Sequence, residues 1–237
     1  CKATSAATTV TVNALPVAPT ITAGGPTTFC DGESVVLTSS EATGNVWSTA
    51  ETTQAITVAT TGSYTVEYTD GNGCKATSAA TTVTVNALPV AAVNSETICA
   101  GDPAVTFIAT SATAVGWSWS ENGTGTLQNT SGTIAGNYTV VVTDANGCES
   151  APATGVLTVN ALPVAAVNSE TICAGDPAVT FIATSATAVG WSWSENGTGT
   201  LQNTSGTIAG NYTVVVTDAN GCESAPATGV LTVNALP

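Results

Sequence analysis

The sequence contains no histidine and no arginine, and only two lysines, Lys2 and Lys75, against 16 acidic residues, a formal net charge of −14. Each shortage closes off a class of function. Phosphate backbones are held by lysine and arginine, so nucleic acid is excluded as a partner and an anionic membrane surface is a poor one. The acidity reads instead as solubility and mutual repulsion between neighbouring chains. General acid–base catalysis most often uses histidine, and developing anions are commonly held by arginine or lysine. An enzyme is therefore not expected, and no catalytic residue is assigned. Paired carboxylates of the glycosidase kind would need a cleft, of which a Thr- and Ala-dominated repeat gives no sign. No apolar run approaches the ~20 residues of a membrane-spanning helix, so membrane insertion is not expected. Close cysteine pairs of the Cys-x-x-Cys kind are absent too. The seven cysteines, Cys1, Cys30, Cys74, Cys99, Cys148, Cys173 and Cys222, come no closer than 25 residues apart, which argues against a metal site and for structural disulfides in an oxidising, extracellular compartment.

What the sequence has in abundance is repetition. Residues 136–163 read GNYTVVVTDANGCESAPATGVLTVNALP and return unchanged at 210–237, with a close relative at 62–89. The array divides into units 17–89, 90–163 and 164–237, the third copying the second residue for residue. Residues 1–16 are too short to bury a core and read as the last strand of a preceding repeat. Nothing resembles a helical period. Short alternating strands between Gly, Pro, Asn and Ser predict an all-β chain of tandem sandwiches. In the first unit these strands are 19–22, 34–40, 45–49 and 55–59, followed by the hairpin that opens at Tyr64. In the second unit Val105 and Phe107 take the places of Val35 and Leu37, Trp117 and Trp119 share one face, and a further strand is expected around Ile134. The linker Ala161-Leu-Pro-Val is short and stiffened by proline, so the array is expected to be an elongated rod.

Candidate sites lie on the hairpin. Tyr64, Tyr138 and Tyr212 each follow a Gly where the chain enters its first strand, the place of the corner tyrosine of immunoglobulin-like domains, and are expected in the core. Trp47, Trp119 and Trp193 are expected there as well. Trp117 and Trp191 have Asn45 as their counterpart, and an exposed aromatic there would mark an interaction surface. Asp144 with Asn146, and Asp218 with Asn220, make calcium a candidate ion. A calcium loop wants more oxygens than Asp-x-Asn-Gly supplies, and the plainer role is side-chain closure of the turn.

The run Cys-x-Gly, Val-x-Leu/Phe, a Trp strand, Gly-x-Tyr-Thr-Val and Asp-x-Asn-Gly-Cys resembles the immunoglobulin-like and PKD-like repeats of giant bacterial cell-surface adhesins and filaments, including those exported by the type IX secretion route. The resemblance covers the whole chain and implies an extracellular, cell-surface location. It implies a structural shaft that gives length, stiffness and disulfide-limited extensibility. The alternative is a carbohydrate- or cell-binding module acting through the Trp and Thr faces. Expected partners are the adjacent repeats, further copies in a homomeric bundle or filament, and a surface polysaccharide or a prey or host cell met by other regions. Cysteine pairing stays open between two schemes. An immunoglobulin-like strand order puts the two cysteines of a repeat at opposite poles and favours Cys30 with Cys148 and Cys99 with Cys222. A fold lacking one middle strand favours Cys30 with Cys74, Cys99 with Cys148, and Cys173 with Cys222.

Overall fold

The computed structural model describes all 237 residues and contains strands and turns but no helix. The first repeat holds β1 (Ile21–Ala23), β2 (Thr28–Cys30), β3 (Val35–Ser39), β4 (Asn45–Trp47), β5 (Ala55–Val58), β6 (Gly62–Tyr64), β7 (Val66–Thr69), β8 (Lys75–Thr77) and β9 (Thr81–Asn86). The second holds β10 (Ala92–Val93), β11 (Glu96–Cys99), β12 (Val105–Thr110), β13 (Ala114–Glu121), β14 (Asn129–Gly132), β15 (Gly136–Asp144) and β16 (Ala153–Asn160). The third repeats that plan as β17 (Ala166–Val167), β18 (Glu170–Cys173), β19 (Val179–Thr184), β20 (Ala188–Glu195), β21 (Asn203–Gly206), β22 (Gly210–Asp218) and β23 (Ala227–Asn234).

Residues 1–16 form no strand and are exposed almost throughout. The same sixteen letters at 74–89 make β8 and β9, where Val83 is fully buried. The difference is pairing: β9 lies between β2 and β6. A Thr- and Ala-rich segment takes strand order from its neighbours rather than from its own propensity.

The third repeat shows how the sandwich is built. One sheet runs β17-β19-β21 and the other β18-β23-β22-β20. β22 alternates inward and outward, with Tyr212, Val214 and Val216 fully buried. They meet Phe181, Ala183, Trp193 and Leu231 in one core. In the first repeat Phe29, Val35, Leu37, Trp47, Ile56, Val58, Tyr64, Val66 and Val83 form the corresponding core. A short polar hinge passes the opening strand from one sheet to the other. The Asn168 amide bonds β19, accepting from the Ile182 N–H at 2.7 Å and donating to the Thr180 carbonyl at 3.1 Å. The next residue, Ser169, accepts the Val230 N–H at 3.0 Å from β23. After this hinge β18 runs parallel to β23, with Cys173 opposite Asn234.

The tyrosines form the corner expected of immunoglobulin-like domains. Tyr138 Oη donates to the Ile134 carbonyl at 3.1 Å, Tyr212 to Ile208 at 3.2 Å and Tyr64 to Thr60 at 2.9 Å. Phe107 stacks on Tyr138 with ring centroids 4.0 Å apart. The strand expected around Ile134 lies instead at β14, and Ile134 itself is exposed. β14 reads Asn-Thr-Ser-Gly because the Tyr138 ring lies over Gly132, where any added Cβ would collide with it.

The chain divides into two compact units. One comprises Cys1–Ala91, Ser111–Gly116 and Val141–Ala151, the other Ala92–Thr110, Trp117–Val140 and Pro152–Pro237. The boundary runs through the second repeat rather than between repeats, so the tip of its hairpin belongs with the first.

Replacing Tyr138 with Phe removes only the corner hydrogen bond and should cost about 1 kcal/mol. Replacing it with Ala also empties the stacked core and should cost about 3–5 kcal/mol. Urea denaturation followed by tryptophan fluorescence checks both. Equal losses for the two variants would show that packing contributes nothing at this corner.

Candidate functional site

Two kinds of turn present the cysteines. In the hairpin turn a carboxylate closes the backbone on itself. Asp144 Oδ1 accepts the N–H of Asn146 and the N–H of Cys148, each at 2.9 Å. Gly147, at a φ of 82°, completes the bend, which is the left-handed conformation that glycine adopts without strain. Asp218 does the same for Asn220 and Cys222, and Asp70 for Asn72 and Cys74. The Cys148 N–H is the largest influence on the Asp144 carboxyl and, with the Asn146 backbone and amide, holds it below its ordinary value against the opposing effect of burial.

The other turn follows the short strand parallel to the last one. The Cys99 N–H donates to Asp102 Oδ2 at 2.8 Å, and the Asp102 N–H donates back to the Cys99 carbonyl at 3.1 Å. Cys173 with Asp176 repeats this, and Glu33 serves Cys30 at 3.3 Å. The role of Asp102, Asp176 and Glu33 has a sequence signal, an acid in fourth place after Cys-x-Gly. The serine that braces each hairpin has none as regular. Ser78, Ser150 and Ser224 accept the N–H groups of Val66, Val142 and Val216, but stand four residues after the cysteine in the first repeat and two in the others.

The two turns lie at opposite ends of one sandwich. Cys30 is opposite Asn86 at the far end of β9, whereas Cys74 precedes β8. In the third repeat Cys173 is opposite Asn234, and all eight residues of β23 separate that end from Cys222. Eight residues of strand span about 26 Å, well beyond the ~7 Å that a disulfide tolerates between Cα atoms. The structure joins Cys30 to Cys148 and Cys99 to Cys222, each with Cα atoms 5.6 Å apart, and leaves Cys1, Cys74 and Cys173 unpaired. It does not join Cys30 with Cys74, Cys99 with Cys148, or Cys173 with Cys222.

Open clefts flank the staples. One of about 610 Å³ lies beside Cys30, with Phe29, Glu33 and Asn146 on its walls. Another, of about 410 Å³, brings Asp102 and Glu223 together beside Cys99 and Leu162. No three His, Cys, Asp or Glu side chains cluster anywhere as a metal site would require. In the Asp-x-Asn-Gly turns both Asp144 oxygens are already accepting, Oδ2 from the Asn146 amide at 3.3 Å. That donor set falls short of the 6–8 oxygens that calcium takes.

Trp47, Trp119 and Trp193 are buried, and each indole N–H donates to a carbonyl, of Thr53, Leu127 and Leu201 respectively, at 2.9 Å. Trp191 is half-buried and packs against the core of the third repeat. The indole N–H groups of Trp117 and Trp191 have no protein partner. Their counterpart Asn45 is buried and bonded to Ser39 and to the Glu41 carbonyl. Shallow clefts of about 360 and 350 Å³ recur on the second and third repeats, lined by Thr106, Thr124 and Thr130, and by Thr180, Thr198 and Thr204.

No family model and no curated protein matches this sequence. Among solved structures, an I-band fragment of titin aligns at 13% identity with a TM-score of 0.40, covering 93% of this chain and 97% of its own. Drosophila OTK extracellular domains 3–5 align at 16% identity and a TM-score of 0.36, covering 94% and 100%. Fibronectin(III)-like modules of Clostridium thermocellum CbhA align at 16% and 0.34, covering 62% and 95%. The immunoglobulin-like assignment rests on the strand order, buried tryptophans and corner tyrosines described above.

Because the Asp144 carboxyl is held below its ordinary value of 3.8, the stability it contributes is complete above that value and is lost as pH falls through the lower, folded one. Asp144→Asn should therefore lower Tm by a steady margin between about pH 7 and about pH 5, and the margin should close below about pH 4. A margin unchanged at about pH 2 would assign the effect to shape rather than charge.

Proposed function

We propose that this chain is a load-bearing segment of an extracellular surface array, a shaft of immunoglobulin-like repeats whose extension is limited by disulfides. The observation that carries the reading is the overlap of the two bridges. Cys30–Cys148 spans 118 residues and Cys99–Cys222 spans 123, and each begins inside one repeat and ends inside the next. A pull applied outside both loops does not travel the 192 residues from position 30 to position 222. Its shortest covalent route crosses both bridges and only the 49 residues between Cys99 and Cys148. No repeat can then unfold to its full length while the bridges hold. The acidic surface and the lack of catalytic residue types fit a spacer.

The rival reading is a glycan- or cell-binding module. Trp119 and Trp193, on which a stacking platform would depend, are buried and already hydrogen-bonded, which favours the shaft.

Single-molecule stretching of the chain from its two ends tests the proposal. Reduction with dithiothreitol should lengthen the fully extended chain by roughly 480 Å, the reach of the 143 residues freed at ~3.4 Å each. Equal lengths before and after reduction would overturn it.

A further inference from the structure

The joint that occurs twice within this chain also exists as two separate halves. The turn half recurs at Cys173-Ala-Gly-Asp176, beside Leu236. The hairpin half recurs at Asp70-Gly-Asn-Gly-Cys74, followed by Lys75. Where the joint is made, Cys148 and Cys222 are 1% exposed, and Leu162 shares a cleft with Cys99 and Gly221. Where it is not made, Cys173 is exposed, Cys74 is half-buried, and Leu236 is 65% exposed against 40% for Leu162. Both halves keep the backbone they have in the finished joints. The Cys173 N–H lies 2.7 Å from Asp176 Oδ2, against 2.8 Å for Cys99 and Asp102. The Cys74 N–H lies 2.8 Å from Asp70 Oδ1, against 2.9 Å for Cys148 and Asp144.

We propose that these halves mate between two copies of this chain, head to tail, with Cys173 of one copy disulfide-bonded to Cys74 of another. Charge favours this pairing. In the Cys99–Cys222 joint Asp102 and Glu223 line one cleft, two acids together. The residue after Cys74 is Lys75, so the joint between copies sets a cation near Asp176 where the internal joint has an acid. The ion pair of Lys75 with Glu67 is largely solvent-exposed and competes weakly. Forming the bond removes two protons and two electrons from the thiols. Oxidised glutathione takes them up: the Cys173 thiolate opens it to a mixed disulfide, and the Cys74 thiolate of the second copy displaces the remaining glutathione, leaving two glutathione thiols. The proposal extends the shaft reading, and its failure would leave the stretching result above untouched.

The test uses the whole chain with both internal bridges intact, concentrated in a mixture of oxidised and reduced glutathione. Products are separated on non-reducing gels and mapped by mass spectrometry of disulfide-linked peptides. The expected result is a ladder of multimers joined by Cys173–Cys74 links. The ladder should vanish in Cys173→Ser and in Cys74→Ser and persist in Cys1→Ser. Lys75→Glu should slow its growth by roughly tenfold at low salt, with the difference lost near ~1 M salt. Cys1 provides the control for accessibility, since it is a more exposed thiol than Cys74. Links made mainly through Cys1, symmetric Cys173–Cys173 or Cys74–Cys74 links, ring closure within one chain, or a chain that stays monomeric would each overturn the proposal.

Discussion

In every repeat the short cysteine-bearing strand lies parallel to the last strand of the same sandwich, β2 beside β9, β11 beside β16 and β18 beside β23. Parallel pairing carries both strand ends to the same pole. The cysteine that ends the short strand therefore stands where the chain leaves the repeat. The hairpin cysteine stands where the last strand begins. An antiparallel pairing would have brought the two cysteines of one repeat together. The direction of one four-residue strand thus decides whether the disulfides close each domain on itself or join it to the next.

That direction depends on the polar hinge before it. Asn94 and Asn168 replace a missing ladder bond on the first sheet, while Ser95 and Ser169 collect an N–H from the second. The last strand must come very close for this to work. Gly155 and Gly229 allow it, since an added Cβ at either would collide with the carbonyl of Asn94 or Asn168. A bare position on one strand, an amide and a hydroxyl on another, and a disulfide at the far pole are parts of one arrangement. Each bridge also closes a loop of more than a hundred residues, worth about 5 kcal/mol in chain entropy, a large share of a small domain's stability.

Much of this was legible in the letters. Strict alternation around Tyr138 and Tyr212 marked the inward face, and Gly-x-Tyr marked the corner, because burial and strand period leave a direct trace in sequence. Asp-x-Asn-Gly announced a turn closed by its own carboxylate. What the letters concealed were strands specified by smallness or by partners. β14 has no apolar residue, because its task is to pass beneath the Tyr138 ring, so Ile134 attracted a strand that it does not form. β2 shows only Phe29 inward. Pairing of the cysteines stayed open at that stage because strand direction leaves no mark on hydrophobic period.

Identity between neighbouring domains is hazardous, because β16 and β23 have the same sequence and either could complete either sandwich. Adjacent domains of this kind are prone to swap strands during folding. Two features oppose it here. Residues 1–16 carry Thr8 where the second and third repeats have Gly155 and Gly229, so a free segment of the first type meets a backbone collision in a sandwich of the second type. Between the identical repeats no such mismatch exists, and the bridges take over the task. Cys99 is fixed beside Asn160 at the end of β16, so the Cys99–Cys222 bond closes when the hairpin leading into β23 stands at that pole. If β23 filled the second sandwich instead, Cys222 would lie at that sandwich's other end, about 26 Å away along the strand. Oxidation therefore selects the correct assignment of two strands that side-chain packing alone cannot distinguish.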